Sequence, residues 1–281
     1  MPELAEVETV RNTLKKRILN KTIKCVNVRY PKMIESNLED FKKILVGRSF
    51  LDIKRRGKWL IFDLGDYYLL SHLRMEGKYF IKSHEEELNK HEHVIITFID
   101  DTDLRYHDTR KFGRMNLIKK EDLVVAEEIA KQGLEPGDKN LTAKYLVDKF
   151  KKKRLPIKTA LLDQTIISGL GNIYANEVLF AAGLDPFKKA CDVSLEEASK
   201  IVDESNRIIK EAIKMGGTTI KSYTSSLGVT GRFQQYLCVH KREGMPCLKC
   251  GTTILNMKIN GRSTYFCPKC QGVIKTNEDN I

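Results

Sequence analysis

The chain has 281 residues, 49 of them Lys or Arg against 37 Asp or Glu, for a formal net charge of +12. Hydrophobic residues at 41% and charged residues at 31% exclude a disordered chain, and no run reaches the roughly 18 apolar residues of a membrane span. The charge surplus points to a polyanionic partner, nucleic acid first and an acidic membrane surface second.

The opening MPELAEVETV has no basic n-region, so a cytoplasmic location is expected. Leu4, Val7, Val10, Leu14 and Ile18 form the apolar stripe of a first helix. Pro2 suits the first helical position, and the acids that follow suit the macrodipole. A chemical reading stands beside this structural one. Removal of Met1 would make Pro2 a secondary amine able to attack a sugar carbon and form an iminium. A generic α-amino group titrates at about 8, against about 10.4 for lysine. Glu3 and Glu6 share a face, so an acid can stand beside that amine for proton transfer.

Eight β-rich runs follow: TIKCVNVRY, SFLDIKRR, WLIFDL, YYLLSHL, KYFIK, HVIITFI, LRYHD and RMNLIK. Turn residues divide them at a spacing that predicts a sandwich or barrel, and one helix interrupts them at residues 38–45. QGLEPGD, residues 132–138, reads as a linker. Helical periodicity then covers residues 141–150, 158–162, 172–182 and 195–215. The last helix opens on a Ser194/Glu197 capping box and closes on Gly216-Gly217. The expected fold class is multidomain α+β, with domains at 1–132, 133–234 and 235–281.

Cys247-Leu-Lys-Cys250 and Cys267-Pro-Lys-Cys270 make a CxxC-x16-CxxC pattern, with the hairpin signal Asn260-Gly261 between. That spacing predicts a four-cysteine zinc ribbon whose metal, with every position filled by sulfur, is structural. Cys25, Cys191 and Cys238 fall outside the pattern and read as core or surface thiols.

PELAEVETV, RRGKWL, HLRMEG, DTRKFG, GLGNIYANE, GGTTIKSY and NGRSTYFCPKCQ occur in collinear order. Together they resemble the formamidopyrimidine-DNA glycosylase family. The resemblance implies excision of 8-oxoguanine and ring-opened purines from duplex DNA, with loss of both flanking phosphates. It implies Pro2 as nucleophile, Glu3 as general acid, Lys58 in β-elimination and phosphate contact, and Arg262 in δ-elimination. It also implies a helix–two-turn–helix; DNA contacts from His91, Arg110, Lys153 and Asn172; and wedge residues Met75, Arg110 and Phe112. It further implies a base-covering loop over residues 222–231, one structural zinc ion, no nucleotide cofactor and a monomer. Taken singly, His91 reads as a loop histidine, KKKR as a solvated run, Lys58 as a turn lysine, and Met75 and Phe112 as β-core residues. The basic groups of residues 48–58, 110–114, 151–158 and Arg262 are expected on one DNA face. Ala5 stands where the family usually has a second proline, which removes no reacting group. PELAEVET argues against an endonuclease VIII-like enzyme, whose opening more often reads PEGPEIRR. A non-catalytic zinc-ribbon DNA binder or an RNA-binding factor leaves Pro2, Glu3 and Lys58 unexplained.

Overall fold

The apolar stripe and a reciprocal cap together define the first element, α1 (Leu4–Ile18). The Glu3 carboxylate receives the Glu6 N–H, and the Glu6 carboxylate receives the Glu3 N–H at 2.9 Å. Glu3 is therefore the N-cap. Pro2 precedes the helix instead of opening it, because Glu3 is still extended. The computed structural model describes residues 1–218 and 231–273, so most of the expected base-covering loop lies outside the described residues. Two units are formed: Met1–Lys131 with the described part of Met215–Arg232, and Gln132–Lys214 with the described part of Phe233–Ile281. Among the described residues, no helix is long and apolar enough to cross a membrane.

In the first unit the eight expected strands form as β1 (Ile23–Val28), β2 (Asp52–Arg56), β3 (Trp59–Asp63), β4 (Tyr67–His72), β5 (Lys78–Ser83), β6 (Glu92–Phe98), β7 (Thr102–His107) and β8 (Arg114–Lys119). Helix α2 (Leu38–Leu45) lies between β1 and β2, capped by the Asn37 side chain. The strands make two antiparallel sheets, β1-β6-β7-β5 and β2-β3-β4-β8. Their facing side chains, Leu60, Phe62 and Leu69 with Ile96, Phe98 and Leu104, share one core with Val7, Val10 and Leu14 of α1. Each such side chain stabilises by about 1.5–3 kcal/mol on burial.

Register decides what this sandwich displays at one end. Arg56 pairs with Trp59 and Trp59 with His72. His72 pairs with Arg114, while Lys78 and Glu92 both pair with His107. The β2–β3 turn, the β4–β5 and β7–β8 crossovers and the start of β6 therefore lie together. Helix α1 runs along β2, with Glu8 on Arg55 at 2.8 Å and Lys15 on Asp52 at 2.5 Å. That direction brings the Pro2 end of α1 to the same end of the sandwich. Residues 120–130, for which the sequence predicts no element, form a 3-10 turn and α3 (Glu127–Ala130). Leu123, Ala126 and Ile129 there cover Trp59, Ile61, Tyr68 and Leu70.

The second unit holds α4 (Ala143–Phe150), α5 (Ile157–Leu161), α6 (Asn172–Ala181), α7 (Leu195–Lys214) and a hairpin of β9 (Leu255–Ile259) and β10 (Arg262–Phe266). Ser194 and Glu197 form the expected box, at 2.8 and 3.2 Å. Positive φ at both Asn260 and Gly261 makes the hairpin turn type I′. Residues 132–138 are not a free tether. Gly133 N–H donates to Gln164 O, Ser168 N–H to Leu134 O, each at 2.8 Å, and Ser168 Oγ to Gln132 Oε1 at 2.6 Å.

Candidate functional site

Pro2 is half-buried beside Glu3, which is 2% exposed. Glu6 also accepts the Thr218 N–H at 2.8 Å and its hydroxyl at 3.0 Å, tying the start of α1 to the segment after α7. Lys58 is a buried lysine at the β2–β3 turn. Arg55 shapes that turn by donating to Gly57 O at 2.9 Å while its Nε holds Glu8 of α1. Burial first, then the charges of Arg74 and Lys58, push His72 down to about 3. This histidine is therefore neutral at physiological pH. It stacks edge-on against Trp59 and accepts the Arg74 N–H at Nδ1, at 2.9 Å.

The crossover loops carry Met75 and the run Arg110–Phe112. Both hydrophobics are exposed, Met75 at 39% and Phe112 at 46%, so the β-core reading of them is overturned. The crossovers leave the sheets here, and among the described residues no strand pairs with these positions. A Thr109 hydroxyl to Glu76 carboxylate hydrogen bond joins the two loops, and the Arg110 guanidinium lies 4.8 Å over the Phe112 ring. The buried Asp108 carboxylate organises the second loop, accepting the N–H groups of Arg110 at 3.0 Å, Phe112 at 2.9 Å and Gly113 at 2.8 Å. His91 joins this base through its carbonyl, which accepts the Asp108 N–H at 3.0 Å.

Gly113 has a steric reason. A Cβ there would come within 1.8 Å of the Tyr106 hydroxyl oxygen, and Tyr106 is itself buried in the core of the sandwich. We expect Gly113→Ala to destabilise the first unit by about 1–3 kcal/mol, visible as a lower urea midpoint.

In the second unit α6 begins at Asn172, whose Nδ2 donates to Ser263 O at 3.1 Å. Lys158 donates to the same oxygen at 2.7 Å and to Thr264 Oγ1 at 2.8 Å. The hairpin strand that starts at exposed Arg262 is thereby fastened to the helix–two-turn–helix formed by α5 and α6. Lys158 is 1% exposed, so it is a clamp and not part of a basic surface, contrary to the expectation for residues 151–158. Lys153 is half-exposed and paired with Asp163 at 3.0 Å. Gln164 sets the turn before α6, bonding Leu170 O at 2.8 Å and the Gly169 N–H at 2.9 Å.

The sulfurs of Cys247, Cys250, Cys267 and Cys270 all lie within 4.8 Å of one another, with Cys247–Cys270 at 3.8 Å and Cys250–Cys267 at 3.5 Å. A tetrahedral tetrathiolate with metal–sulfur bonds of about 2.3 Å has edges of about 3.8 Å. The donor set fits a structural metal ion.

The sequence reading missed the support beneath this ribbon. Glu177, 4% exposed, accepts the N–H groups of Cys238, Val239 and His240 at 2.8–3.0 Å, and burial pushes its carboxyl up. The sequence signal was an acid, beside Asn176, in a helix whose other half is apolar. His240 Nδ1 lies 3.0 Å from Asn176 Nδ2. Burial, then Lys241 and Lys158, lower His240 to about 4. Its folded value lies below the unfolded one of about 6.5, so the unfolded chain binds the extra proton between them. Stability from this group is complete above pH about 6.5 and falls towards pH about 4, by at most about 1.4 kcal/mol per pH unit. Urea titrations at a series of pH values should show this loss. His240→Gln, which keeps an acceptor for Asn176, should flatten it.

Residues 1–115 match the formamidopyrimidine-DNA glycosylase N-terminal domain, 132–224 its H2TH domain, and 244–273 the zinc finger found in FPG and IleRS. The formamidopyrimidine-DNA glycosylases of Shouchella clausii and Bacillus licheniformis are 47% and 45% identical to this chain. In each case the match spans 96% of this chain and 99% of the relative. The Lactococcus lactis Fpg in complex with DNA containing an abasic site superposes with a TM-score of 0.91 at 41% identity, over 96% of this chain and 99% of that one. A point mutant of the same enzyme, in complex with DNA containing Fapy-dG, gives 0.92 at the same identity and coverage. Identity at this level along nearly the whole length, with the sandwich, the helix–two-turn–helix and the tetrathiolate ribbon all in place, makes this chain a member of the formamidopyrimidine-DNA glycosylase family.

Proposed function

We propose that this protein is a DNA glycosylase and abasic-site lyase that excises 8-oxoguanine and formamidopyrimidines from duplex DNA, acting as a monomer. The observation that carries the reading is the Pro2–Glu3 pair: a buried carboxyl, held in a reciprocal cap, adjoins the amine that Met1 removal frees.

The Pro2 nitrogen attacks C1′ of the damaged nucleoside, the bond from C1′ to the base breaks, and the base leaves with a proton. Glu3 is the general acid of both steps: it gives the departing base its proton, regains one from the Pro2 ammonium, and then protonates the sugar ring oxygen, opening the ring to an iminium. Loss of a C2′ proton expels the 3′ phosphate, assisted by Lys58. A second elimination, assisted by Arg262, expels the 5′ phosphate, and water releases the sugar remnant from Pro2. His91, Arg110, Lys153 and Asn172 contact the phosphates. Met75, Arg110 and Phe112 fill the space that the extruded base leaves; their exposure and the Glu76–Thr109 tie between their loops support this role. One zinc ion in the ribbon is structural.

The test is product analysis on a duplex carrying 8-oxoguanine or a formamidopyrimidine opposite cytosine. The reading predicts a free base and a one-nucleotide gap with phosphate at both ends. Binding without strand cleavage would leave only a DNA-binding module.

A further inference from the structure

We propose that Arg105 is a positioning residue: it sets the conformation of residues 84–91 and, through that loop, the DNA contact of His91. The inference rests on the reading above that His91 touches the DNA backbone. Arg105 lies on β7 and its side chain is 0% exposed. An isolated buried guanidinium is costly, so the groups around it show what it is there to hold.

Nε donates to Asp103 at 3.0 Å, and Nη1 to Glu92 Oε2 at 3.2 Å. The remaining donors leave the sheet and reach the β5–β6 connection: Nη1 to Glu87 O at 3.2 Å, and Nη2 to Ser83 O at 2.9 Å and Glu86 O at 2.8 Å. Residues 84–90 are otherwise exposed. With His84 O, 3.5 Å from Nη2, four backbone carbonyls are thus turned inward onto one planar fork, a geometry that lysine's point charge cannot reproduce. The two carboxylates extend the anchoring. Asp103 also accepts from Thr97 at 2.8 Å, while Glu92 accepts the Asn89 N–H at 3.0 Å and pairs with Lys82 at 3.0 Å. Asn89 Oδ1 in turn accepts the His91 N–H at 2.9 Å. A continuous hydrogen-bonded path therefore runs from the guanidinium through Glu92 and Asn89 to His91.

The loop's own charge gives this anchoring a purpose. Glu85, Glu86 and Glu87 are consecutive and exposed, a few residues from His91. An unanchored loop would let three carboxylates approach the phosphates that His91 is proposed to meet. With the carbonyls of Ser83, Glu86 and Glu87 pinned to Arg105, that approach is restricted and His91 is held at the base of the Arg110 loop.

The experiment is a double-mutant cycle on the full, metal-loaded protein with a lesion duplex. Arg105→Lys should raise KM and Kd roughly tenfold, the scale of one charge-assisted hydrogen bond, and leave kcat unchanged. In a His91→Ala background the same substitution should cost nothing further, because the contact it positions is already gone. Glu-specific proteolysis after residues 85–87 should be faster in Arg105→Lys. If Arg105→Lys does not fold, Arg105→Gln combined with Glu92→Gln and Asp103→Asn neutralises the network together, and the same cycle is run on it. Additive losses, an unchanged Kd or a lowered kcat would overturn the inference while leaving the His91 contact standing. Full affinity in His91→Ala alone would instead remove the contact, and this inference with it.

Discussion

Glu3→Gln is expected to slow base excision by roughly 10²–10⁴-fold, the usual contribution of a positioned general acid, while leaving the fold intact. The carboxylate is buried and its oxygen caps the Glu6 N–H. Glutamine keeps an oxygen for that cap, so the structural cost stays below about 1 kcal/mol. Only the transferable proton is lost. A preformed abasic site no longer carries the base, and its open aldehyde form needs no ring opening, so strand cleavage there should fall much less. Single-turnover rates on the two duplexes separate the effects. Equal losses on both substrates would assign Glu3 a structural role, and no loss on either would remove it from the chemistry.

Metal removal is the second large effect expected. Structural zinc contributes on the order of 10 kcal/mol to the folding of small metal-bound modules, and a two-stranded hairpin does not stand alone in water. Chelation or Cys267→Ser should therefore unfold β9 and β10. The damage extends beyond the ribbon, because Ser263 O and Thr264 Oγ1 are acceptors for the buried Lys158 ammonium, and Ser263 O also for Asn172. Two charge-assisted bonds of about 1.5–3 kcal/mol each and the placement of Arg262 are lost together. DNA affinity should fall at least about 100-fold while the first unit keeps its own unfolding transition. Hydrogen exchange of the β9 and β10 amides, read beside a binding isotherm at fixed salt, checks both halves. Full affinity in metal-free protein would contradict the account.

All eight strands, α1, α2 and the four helical segments of the second unit were legible because each carries its own period. Val7, Val10 and Leu14 repeat as a helix must, and WLIFDL has the short apolar run of a buried strand. The tetrathiolate ribbon was legible because thiolate pairs on tight knuckles leave a fixed spacing. What escaped depends on partners distant in sequence. Lys158 sits in a basic stretch like any solvated lysine, and only the approach of Ser263 and Thr264 makes it a clamp. Arg105 alternates correctly in a strand, yet nothing in LRYHD reveals the carbonyls of a loop some twenty residues earlier. Met75 and Phe112 look like core residues because composition does not say that both lie on crossovers between sheets. Pro2 was misplaced by two positions, since a glutamate can be the N-cap when its own carboxylate is answered three residues later.

Borohydride trapping on duplex DNA carrying 8-oxoguanine opposite cytosine, with protein whose Met1 has been removed, tests the proposed chemistry most directly. Reduction of the iminium should leave one protein–DNA adduct whose tryptic peptide begins with the modified Pro2. Failure of this processed, metal-loaded protein to trap, or an adduct mapped to a lysine, would contradict the assignment of Pro2 as the nucleophile.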